Sequence, residues 1–195
     1  MAGNTFKIIF LVGLTAYLFG IYGPSAQRYK RSKVTASRTR VFDATLDISM
    51  FLVWQVLPLI YVFAPWLDAA NYVRPVWAGW IGAAIFAAAL FLLWRAYADL
   101  GRNWSPKIDV LAGQKLVTDG IYRWIRHPIY AGIWLWSIAQ PLLIHNWIAL
   151  GMLVLFLPLY LIRVPREERM MLEHFGEEYR LYMNRTGRVI PRLSR

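Results

Sequence analysis

The chain has 195 residues, of which 58% are hydrophobic and 16% aromatic, and its mean hydropathy of +0.38 excludes a soluble domain, which must cover its surface with polar groups. Its 22 Lys and Arg outnumber 11 Asp and Glu, and a net charge of +11 on a membrane protein favours contact with anionic lipid headgroups and argues against nucleic acid. The absence of cysteine excludes disulfides, thiolate nucleophiles and cysteine-ligated metal centres, and no metal site is expected.

Three windows in the first half of the chain are long enough to cross a bilayer as helices. A span needs about 20 apolar residues, and Thr5–Gly23, Ala44–Leu67 and Pro75–Ala98 meet that length. The first window has no basic flank beyond Lys7 and no small-residue cleavage site, so it is expected to be a retained span and not a signal peptide.

Two shorter apolar runs follow in the second half, Ile129–Ile144 and Trp147–Ile162, separated only by residues 145–146. Each run reaches about 24 Å as a helix, which is short of the bilayer core. We expect a tight helical hairpin with kinks at Pro141 and Pro158. The predicted fold is therefore an all-α, polytopic membrane protein of about five transmembrane helices.

The positive charges predict the orientation of these helices, because cytosolic loops carry the excess of Lys and Arg. Segments 24–43 and 99–128 and the tail from residue 163 are rich in them, and the first contains Arg28, Lys30, Arg31, Lys33, Arg38 and Arg40. The opposite connections contain only Asp68, Arg74 and the 145–146 turn. The N-terminus is expected outside and the C-terminus in the cytosol.

The composition changes after Ile162 to an amphipathic run that pauses at Gly176 and stops at Thr186–Gly187. We interpret this run as two short cytosolic helices, with Pro165 in a first turn and Gly176 as a C-cap. The whole chain, residues 1–195, is expected to form one domain. Residues 1–98 would supply three transmembrane helices, and residues 99–195 a ligand-binding loop, the hairpin and the C-terminal helices.

The loop Asp99–Pro128 is a long polar and aromatic stretch in a chain that is otherwise nearly all apolar, and loops of that length are usually functional. It ends in Arg126, His127 and Pro128 at the mouth of the fourth helix. Pro128 suits the first helical position, and the free backbone N–H groups there favour an anion.

A second polar cluster, Arg163, Arg166, Glu167 and Glu168, lies at the end of the fifth helix, which the hairpin returns to the membrane face of Arg126. Arg163 and Glu167 have the i, i+4 spacing that places both on one helix face. Charges of both signs in one cleft suit a zwitterionic ligand such as S-adenosylmethionine. From residue types alone, an ordinary interfacial ion-pair network explains the cluster equally well.

Several motifs in the second half resemble the isoprenylcysteine carboxyl methyltransferase family and the related phospholipid methyltransferases. They are Gly120-Ile121-Tyr122, Arg126-His127-Pro128-Ile129-Tyr130-Ala131-Gly132, Arg163 with Glu167-Glu168, and Phe175-Gly176-Glu177-Glu178-Tyr179 with Tyr182. The likeness covers about residues 99–192. Residues 101–105 and 186–191 look like those of small five-span prokaryotic members, which implies a prokaryotic cytoplasmic membrane.

The resemblance implies a cofactor site for S-adenosyl-L-methionine, with S-adenosyl-L-homocysteine as the product. By motif position, His127, Tyr130, Glu167 and Glu168 would contact the cofactor, and its edge would be lined by Lys115, Leu116, Val117, Gly120 and Tyr122. Arg126 and Arg163 would position the methyl-accepting carboxylate. Trp134 and Trp136 are expected to pack in the core, and His145 and His174 are assigned no function.

The expected reaction is carboxyl O-methylation of a prenylcysteine-like or other lipidic substrate that enters from the bilayer. A carboxylate with a pKa near 3.5 is already ionised at neutral pH, so it needs positioning and no general base. The alternative is N-methylation of a phospholipid ethanolamine, whose ammonium must first lose a proton, to His127 or Glu168. A non-enzymatic scaffold, a cytochrome or a reductase are further alternatives. Membrane lipids are expected partners, and the oligomeric state is not predicted.

Overall fold

The computed structural model describes residues 2–37, 41–73 and 75–192. Arg38, Arg40 and Arg74, which entered the charge comparison above, lie outside these ranges. Most of the described residues are helical, and four of the described helices are long and apolar enough to cross a membrane. A fifth apolar helix, Pro128–Ile144, is shorter. The structure therefore confirms a multi-pass helical protein, and a count of five spans stays a prediction.

The first span is one continuous helical rod. It comprises α1 (Ala2–Thr15), a π-helical segment (Ala16–Tyr22) and α2 (Gly23–Lys30), so it extends beyond the predicted end at Gly23. Proline has no N–H to donate to the carbonyl four residues earlier. Pro24 lies at the start of α2, directly after the π-helical segment, where that missing donor disturbs the α-helical hydrogen-bond pattern.

The second span repeats this construction. It comprises α3 (Val41–Phe51), a π-helical segment (Leu52–Val56) and α4 (Leu57–Phe63), and Pro58 follows its π-helical segment just as Pro24 does. A short 3-10 helix, Pro65–Ala70, then completes the connection. π-Helical segments change which side chains point inward and often occur at functional sites. In this protein the first segment buries Tyr17 and Ile21, and the second buries Trp54.

The third predicted span is helix α5 (Val76–Leu100), which α6 (Pro128–Ile144) contacts more extensively than any other element pair in the described chain. Two glycines permit this close packing. A Cβ atom on Gly82 would lie 2.7 Å from Leu142 Cβ, and one on Gly132 would lie 2.7 Å from Leu93 Cγ. The predicted hairpin partner α7 contacts α6 less extensively.

The last two helices are α7 (Gly151–Phe175) and α8 (Glu177–Arg185), and a 3-10 turn at Trp147–Leu150 leads into α7. The expectation that Pro165 begins a separate helix is wrong, because α7 continues through Pro158 and Pro165. Proline removes only one hydrogen bond from a helix whose neighbouring turns stay bonded. Gly176 ends α7 with a φ of +57°, which glycine adopts without strain, so the predicted C-cap is confirmed.

The connections separate into two groups at opposite ends of the bundle. At one end, β1 (Val34–Ser37) pairs antiparallel with β2 (Asp109–Leu111), joining the two long loops. At the other end, the Asn146 side chain donates to the backbone oxygen of Leu67 at 2.8 Å, and the Tyr72 N–H donates to the oxygen of His145 at 3.0 Å. The chain alternates between the ends, as the predicted topology requires.

The core between the helices is aromatic. Trp136 on α6 is fully buried and lies edge-on to Phe86 at 4.7 Å, Trp54 at 5.0 Å and Tyr17 at 5.3 Å between ring centroids. Trp134 packs against Phe156 of α7 at 4.8 Å. Both tryptophans therefore have the packing role predicted for them. Edge-to-face aromatic contacts contribute about 0.5–1.5 kcal/mol beyond the area they bury.

Candidate active site

A cavity of about 390 Å³ lies at the end of the bundle that carries the β1–β2 sheet, and residues from both halves of the chain line it. This volume falls within the ~300–1,000 Å³ of small-molecule sites. Charged side chains line one part of the cavity, and an apolar and aromatic part extends between the first two spans. It is lined there by Tyr17, Tyr22, Met50, Phe51 and Trp54 of these spans, and Phe156 of α7 also lines the cavity.

Arg126 and His127 are held in place by the C-terminal segment. The N–H of Arg126 donates to the backbone oxygen of Gly187 at 2.9 Å, and the N–H of His127 donates to that of Arg188 at 2.8 Å. The chain then enters α6 at Pro128, as the sequence predicted. This short parallel pairing presents both side chains to the cavity from a fixed backbone.

Glu168 on α7 is the most heavily bonded carboxylate of the site. It accepts hydrogen bonds from Arg126 Nε at 2.6 Å and from Arg188 Nη2 at 2.6 Å, and His127 Nε2 lies 3.3 Å away. Its side chain is only 5% exposed. The hydrogen bonds that Arg188 donates to Glu168 raise the pKa of the Arg188 guanidinium. Glu168 thus ties α7, the start of α6 and the C-terminal segment together.

Arg163, five residues before Glu168 on α7, is the centre of a second group of hydrogen bonds. Its Nε donates to Glu167 Oε1 at 3.0 Å, so the i, i+4 pair predicted from the sequence is confirmed. Its Nη1 donates to Asp47 of α3 at 2.7 Å, and its Nη2 donates to the backbone oxygen of Pro106. The Tyr130 hydroxyl donates to Glu167 at 2.6 Å. Arg163 therefore connects α3, the 99–128 loop and α7 at the cavity wall.

The 99–128 loop is anchored at several points around the cavity. Asp99 accepts the N–H of Ile121 at 2.8 Å, beside Gly120, whose φ of +60° and close approach to the Asp99 carboxylate leave no room for a side chain. The Tyr182 hydroxyl donates to the backbone oxygen of Tyr122 at 2.7 Å. Burial raises the pKa of the phenols of Tyr122, Tyr179 and Tyr182, so all three stay neutral. The loop and α8 thus present uncharged aromatic faces.

The structure brings nearly all the predicted site residues to this one cavity. Those that line it are Lys115, Leu116, Val117, Tyr122, Arg126, His127, Tyr130, Arg163 and Glu167. Glu168 lies outside the lining, behind Arg126 and His127, and Gly120 also lies outside it. The ion-pair network expected as the alternative is present as well, and it forms part of the cavity wall.

Sequence reasoning missed other residues of the site. Asp47 lies near the start of the apolar span Thr45–Phe63, and acids in such spans commonly mark functional sites. Arg188 lies in the resembling C-terminal segment but received no role. The aromatic residues Tyr97 and Trp104, with ring centroids 5.0 Å apart, line the cavity without a sequence signal that separates them from ordinary core residues.

The residues at the charged end fit S-adenosylmethionine. That molecule carries an α-carboxylate, an α-ammonium, a sulfonium and an adenine. His127 is a donor suited to the carboxylate, Glu167 is an acceptor suited to the ammonium, and the neutral rings of Tyr122, Tyr179 and Tyr182 suit the adenine. In the described part of the chain, no group of acidic or histidine side chains has the arrangement of a metal site.

Comparisons with known proteins point to one family. Residues 80–173 match the family model described as the isoprenylcysteine carboxyl methyltransferase (ICMT) family. The chain is 29% identical over 118 residues to protein-S-isoprenylcysteine O-methyltransferase B of Arabidopsis thaliana, covering 59% of this chain and 60% of that protein. It is 35% identical over 145 residues to the human protein-S-isoprenylcysteine O-methyltransferase, covering 71% of this chain and 48% of the human one.

A solved structure agrees with this similarity. The structure described as the eukaryotic intramembrane Ras methyltransferase ICMT superposes with a TM-score of 0.53 and 26% sequence identity, covering 80% of this chain and 54% of that one. The chain thus spans about half to three fifths of the length of these relatives. Ras methylation is named as the activity of the solved protein and is not assigned to this chain.

Proposed function

Because the chain belongs, through residues 80–173, to the isoprenylcysteine carboxyl methyltransferase family, we propose that it methylates the carboxylate of a prenylcysteine-like or other lipidic substrate from S-adenosylmethionine. One observation carries this proposal. A single cavity joins a charged end, at Arg126, His127, Arg163 and Glu167, to an aromatic and apolar part between the first two spans. Such a cavity suits a polar methyl donor and a lipid at the same time.

S-Adenosylmethionine, when bound, supplies a methyl group on a positively charged sulfonium. We assign Glu167 to the ammonium of its amino-acid head, since Tyr130 and Arg163 already orient that carboxylate. We assign His127 to the carboxylate of the head. Glu168 acts indirectly in this proposal, because it holds Arg126 and His127 in place from outside the cavity lining.

Arg163 and Arg126 are the residues we assign to the methyl-accepting carboxylate. A guanidinium presents its donors in a fixed plane that matches a carboxylate, which orients the attacking oxygen without chemical activation. Tight pairing would also withdraw charge from that oxygen. Both arginines already bond to protein acceptors, Arg163 to Glu167 and Arg126 to Glu168. Each therefore withdraws less charge from the attacking oxygen of the substrate.

The alternative, N-methylation of an ethanolamine headgroup, needs a base to remove a proton. One of the two candidate bases, Glu168, is poorly placed for that work, because it is buried behind the cavity wall and accepts bonds from two arginines. The other, His127, lines the cavity, and in this proposal it is engaged by the carboxylate of the cofactor head. The residues that line the cavity therefore favour a methyl acceptor that is already ionised when it binds.

The finer topology is part of the same proposal. We place five spans in the membrane, including the short α6, with the N-terminus outside and the cavity opening at the cytosolic side. The excess of Lys and Arg in the loops at the cavity end supports this orientation. The cytosolic end is also where S-adenosylmethionine is available, and membrane lipids would reach the apolar part from the bilayer.

The test is methyl transfer by the purified full-length chain in lipid nanodiscs. Radiolabelled S-adenosylmethionine is supplied with an N-acetylated prenylcysteine or with phosphatidylethanolamine. We expect label in the prenylcysteine, released as methanol by alkali because a methyl ester hydrolyses. Alkali-stable label in the ethanolamine lipid would show N-methylation instead and contradict the proposal.

A further inference from the structure

Asp47 is an acidic residue in an apolar membrane helix, and it lines the cavity. Its carboxylate accepts the hydrogen bond from Arg163 Nη1 at 2.7 Å. The Asp47 side chain is 43% exposed, whereas that of Arg163 is 12% exposed. Asp47 is the third residue of the apolar span Thr45–Phe63, and an ionisable residue in such a span commonly marks a functional site.

The charges around Arg163 limit what else can bind there. One guanidinium already faces two carboxylates, those of Glu167 and Asp47. A third carboxylate at the same guanidinium would be repelled by both, because like charges a few ångströms apart repel strongly outside bulk water. A substrate carboxylate therefore binds Arg163 well only if one of the two protein carboxylates leaves.

Asp47 is the carboxylate that leaves more easily. Glu167 lies on the same helix as Arg163, is 22% exposed and also accepts the Tyr130 hydroxyl. Asp47 reaches Arg163 from a different helix, and among the described residues Arg163 is its one hydrogen-bond partner. When a substrate carboxylate replaces this bond, the buried Arg163 stays paired and the half-exposed Asp47 carboxylate regains water.

We propose that the Asp47 carboxylate occupies the position on Arg163 that the methyl-accepting carboxylate takes during the reaction. The two carboxylates therefore compete for one guanidinium. This inference rests on the proposed function, because it requires an acceptor that is a carboxylate. Asp47 then limits the affinity for the substrate carboxylate and is not a catalytic residue.

The competition has a direct consequence for the product. A methyl ester carries no charge and cannot match the attraction of Asp47 for Arg163. Once the ester forms, Asp47 pairs with the guanidinium again, and the product loses its ionic contact with Arg163. Asp47 thus lowers the affinity for the acid and takes its place on Arg163 once the uncharged ester has formed.

The experiment compares the wild-type chain with Asp47→Asn in lipid nanodiscs. Asparagine keeps the size and one acceptor oxygen but has no charge. Binding of an N-acetylated prenylcysteine and of its methyl ester is measured by calorimetry in the presence of S-adenosylhomocysteine. Asp68→Asn, an exposed acid at the other end of the bundle, is the matched control. Asp47→Ser provides a second neutral variant should Asp47→Asn unfold.

In Asp47→Asn, we expect the acid to bind roughly 5-fold more tightly, the change that removal of a partly exposed competing ion pair produces. The affinities for the ester and for S-adenosylhomocysteine should stay within 2-fold of wild type. Unchanged or weaker binding of the acid, or equal tightening for acid and ester, would overturn the role of Asp47. If wild type and variants bind S-adenosylhomocysteine but neither acid nor ester, the proposed function itself fails, which is a distinct result.

Discussion

Glu168 illustrates how a single buried charge holds several elements of this site together. Its carboxylate bonds to guanidinium groups from the start of α6 and from the C-terminal segment, Arg126 and Arg188. Breaking a buried pair by removing one partner leaves uncompensated charge and costs about 3–5 kcal/mol. Glu168 is therefore expected to act mainly on stability and on the placement of Arg126 and His127.

We predict that Glu168→Gln lowers the stability of the chain in detergent by about 3 kcal/mol or more. The reason is that Arg126 stays buried without a full counter-charge. Thermal unfolding followed by circular dichroism measures the effect. Glu178→Gln, at an exposed position of α8, should leave the melting temperature unchanged. A melting temperature for Glu168→Gln equal to that of wild type would show that this bond network contributes little.

At the scale of single residues, charge spacing and motif resemblance predicted the main groups of the site. Arg163 and Glu167 were recognisable because the i, i+4 rule needs only one helix. The Asp47 contact was not, because it joins residues 116 positions apart and depends on how α3 packs against α7. Nor does any sequence pattern reveal that Glu168 faces away from the cavity while its neighbour Glu167 lines it.

At the scale of helices and strands, hydropathy predicted where the helices lie but not how they pair. All five apolar windows became helices, since lipid leaves the backbone few other ways to satisfy its hydrogen bonds. The β1–β2 pairing was not predicted, because two strands of four and three residues, far apart in the sequence, are too short to give a clear pattern. The extensive α5–α6 contact was not predicted either, because a single glycine such as Gly82, which allows close helix packing, does not stand out in a hydropathy profile.

The α5–α6 contact supports a prediction about Gly82. A methyl group there would lie 2.7 Å from Leu142 Cβ and 3.1 Å from the Leu142 backbone carbon, so α6 would have to move. We expect Gly82→Ala to destabilise the protein by about 1–3 kcal/mol, the usual cost of overpacking. Gly20→Ala, where a methyl group meets open space, is the control in the same unfolding assay. Equal stability of the two variants would contradict the close packing of α5 and α6.

At the scale of the whole molecule, the structure places the cavity and the basic loops at the same end of the bundle. Lys33 belongs to this end, where its backbone oxygen accepts the N–H of Ala112 at 2.8 Å. Ala69 lies in the 3-10 helix at the other end. The proposed orientation of the bundle in the membrane is based on charge alone, and it decides which compartment supplies the methyl donor.

This orientation is testable because the chain contains no cysteine. We predict that a membrane-impermeant maleimide labels Ala69→Cys in intact cells and does not label Lys33→Cys until the membrane is permeabilised. Both positions are exposed, so permeabilised cells provide the control for reactivity. Labelling of Lys33→Cys but not Ala69→Cys in intact cells would place the cavity on the outer side.

The site as a whole depends on one proposition, that the charged cavity at Glu167 and His127 binds an adenosyl amino acid. Calorimetric titration of the purified chain with S-adenosylhomocysteine tests it directly. We expect the wild type and the exposed-site control Glu178→Ala to bind equally well. In Glu167→Ala the affinity should fall at least roughly 10-fold, because a charged hydrogen-bond acceptor is lost. Wild-type affinity in Glu167→Ala, or no binding to the wild type, would contradict the proposed site.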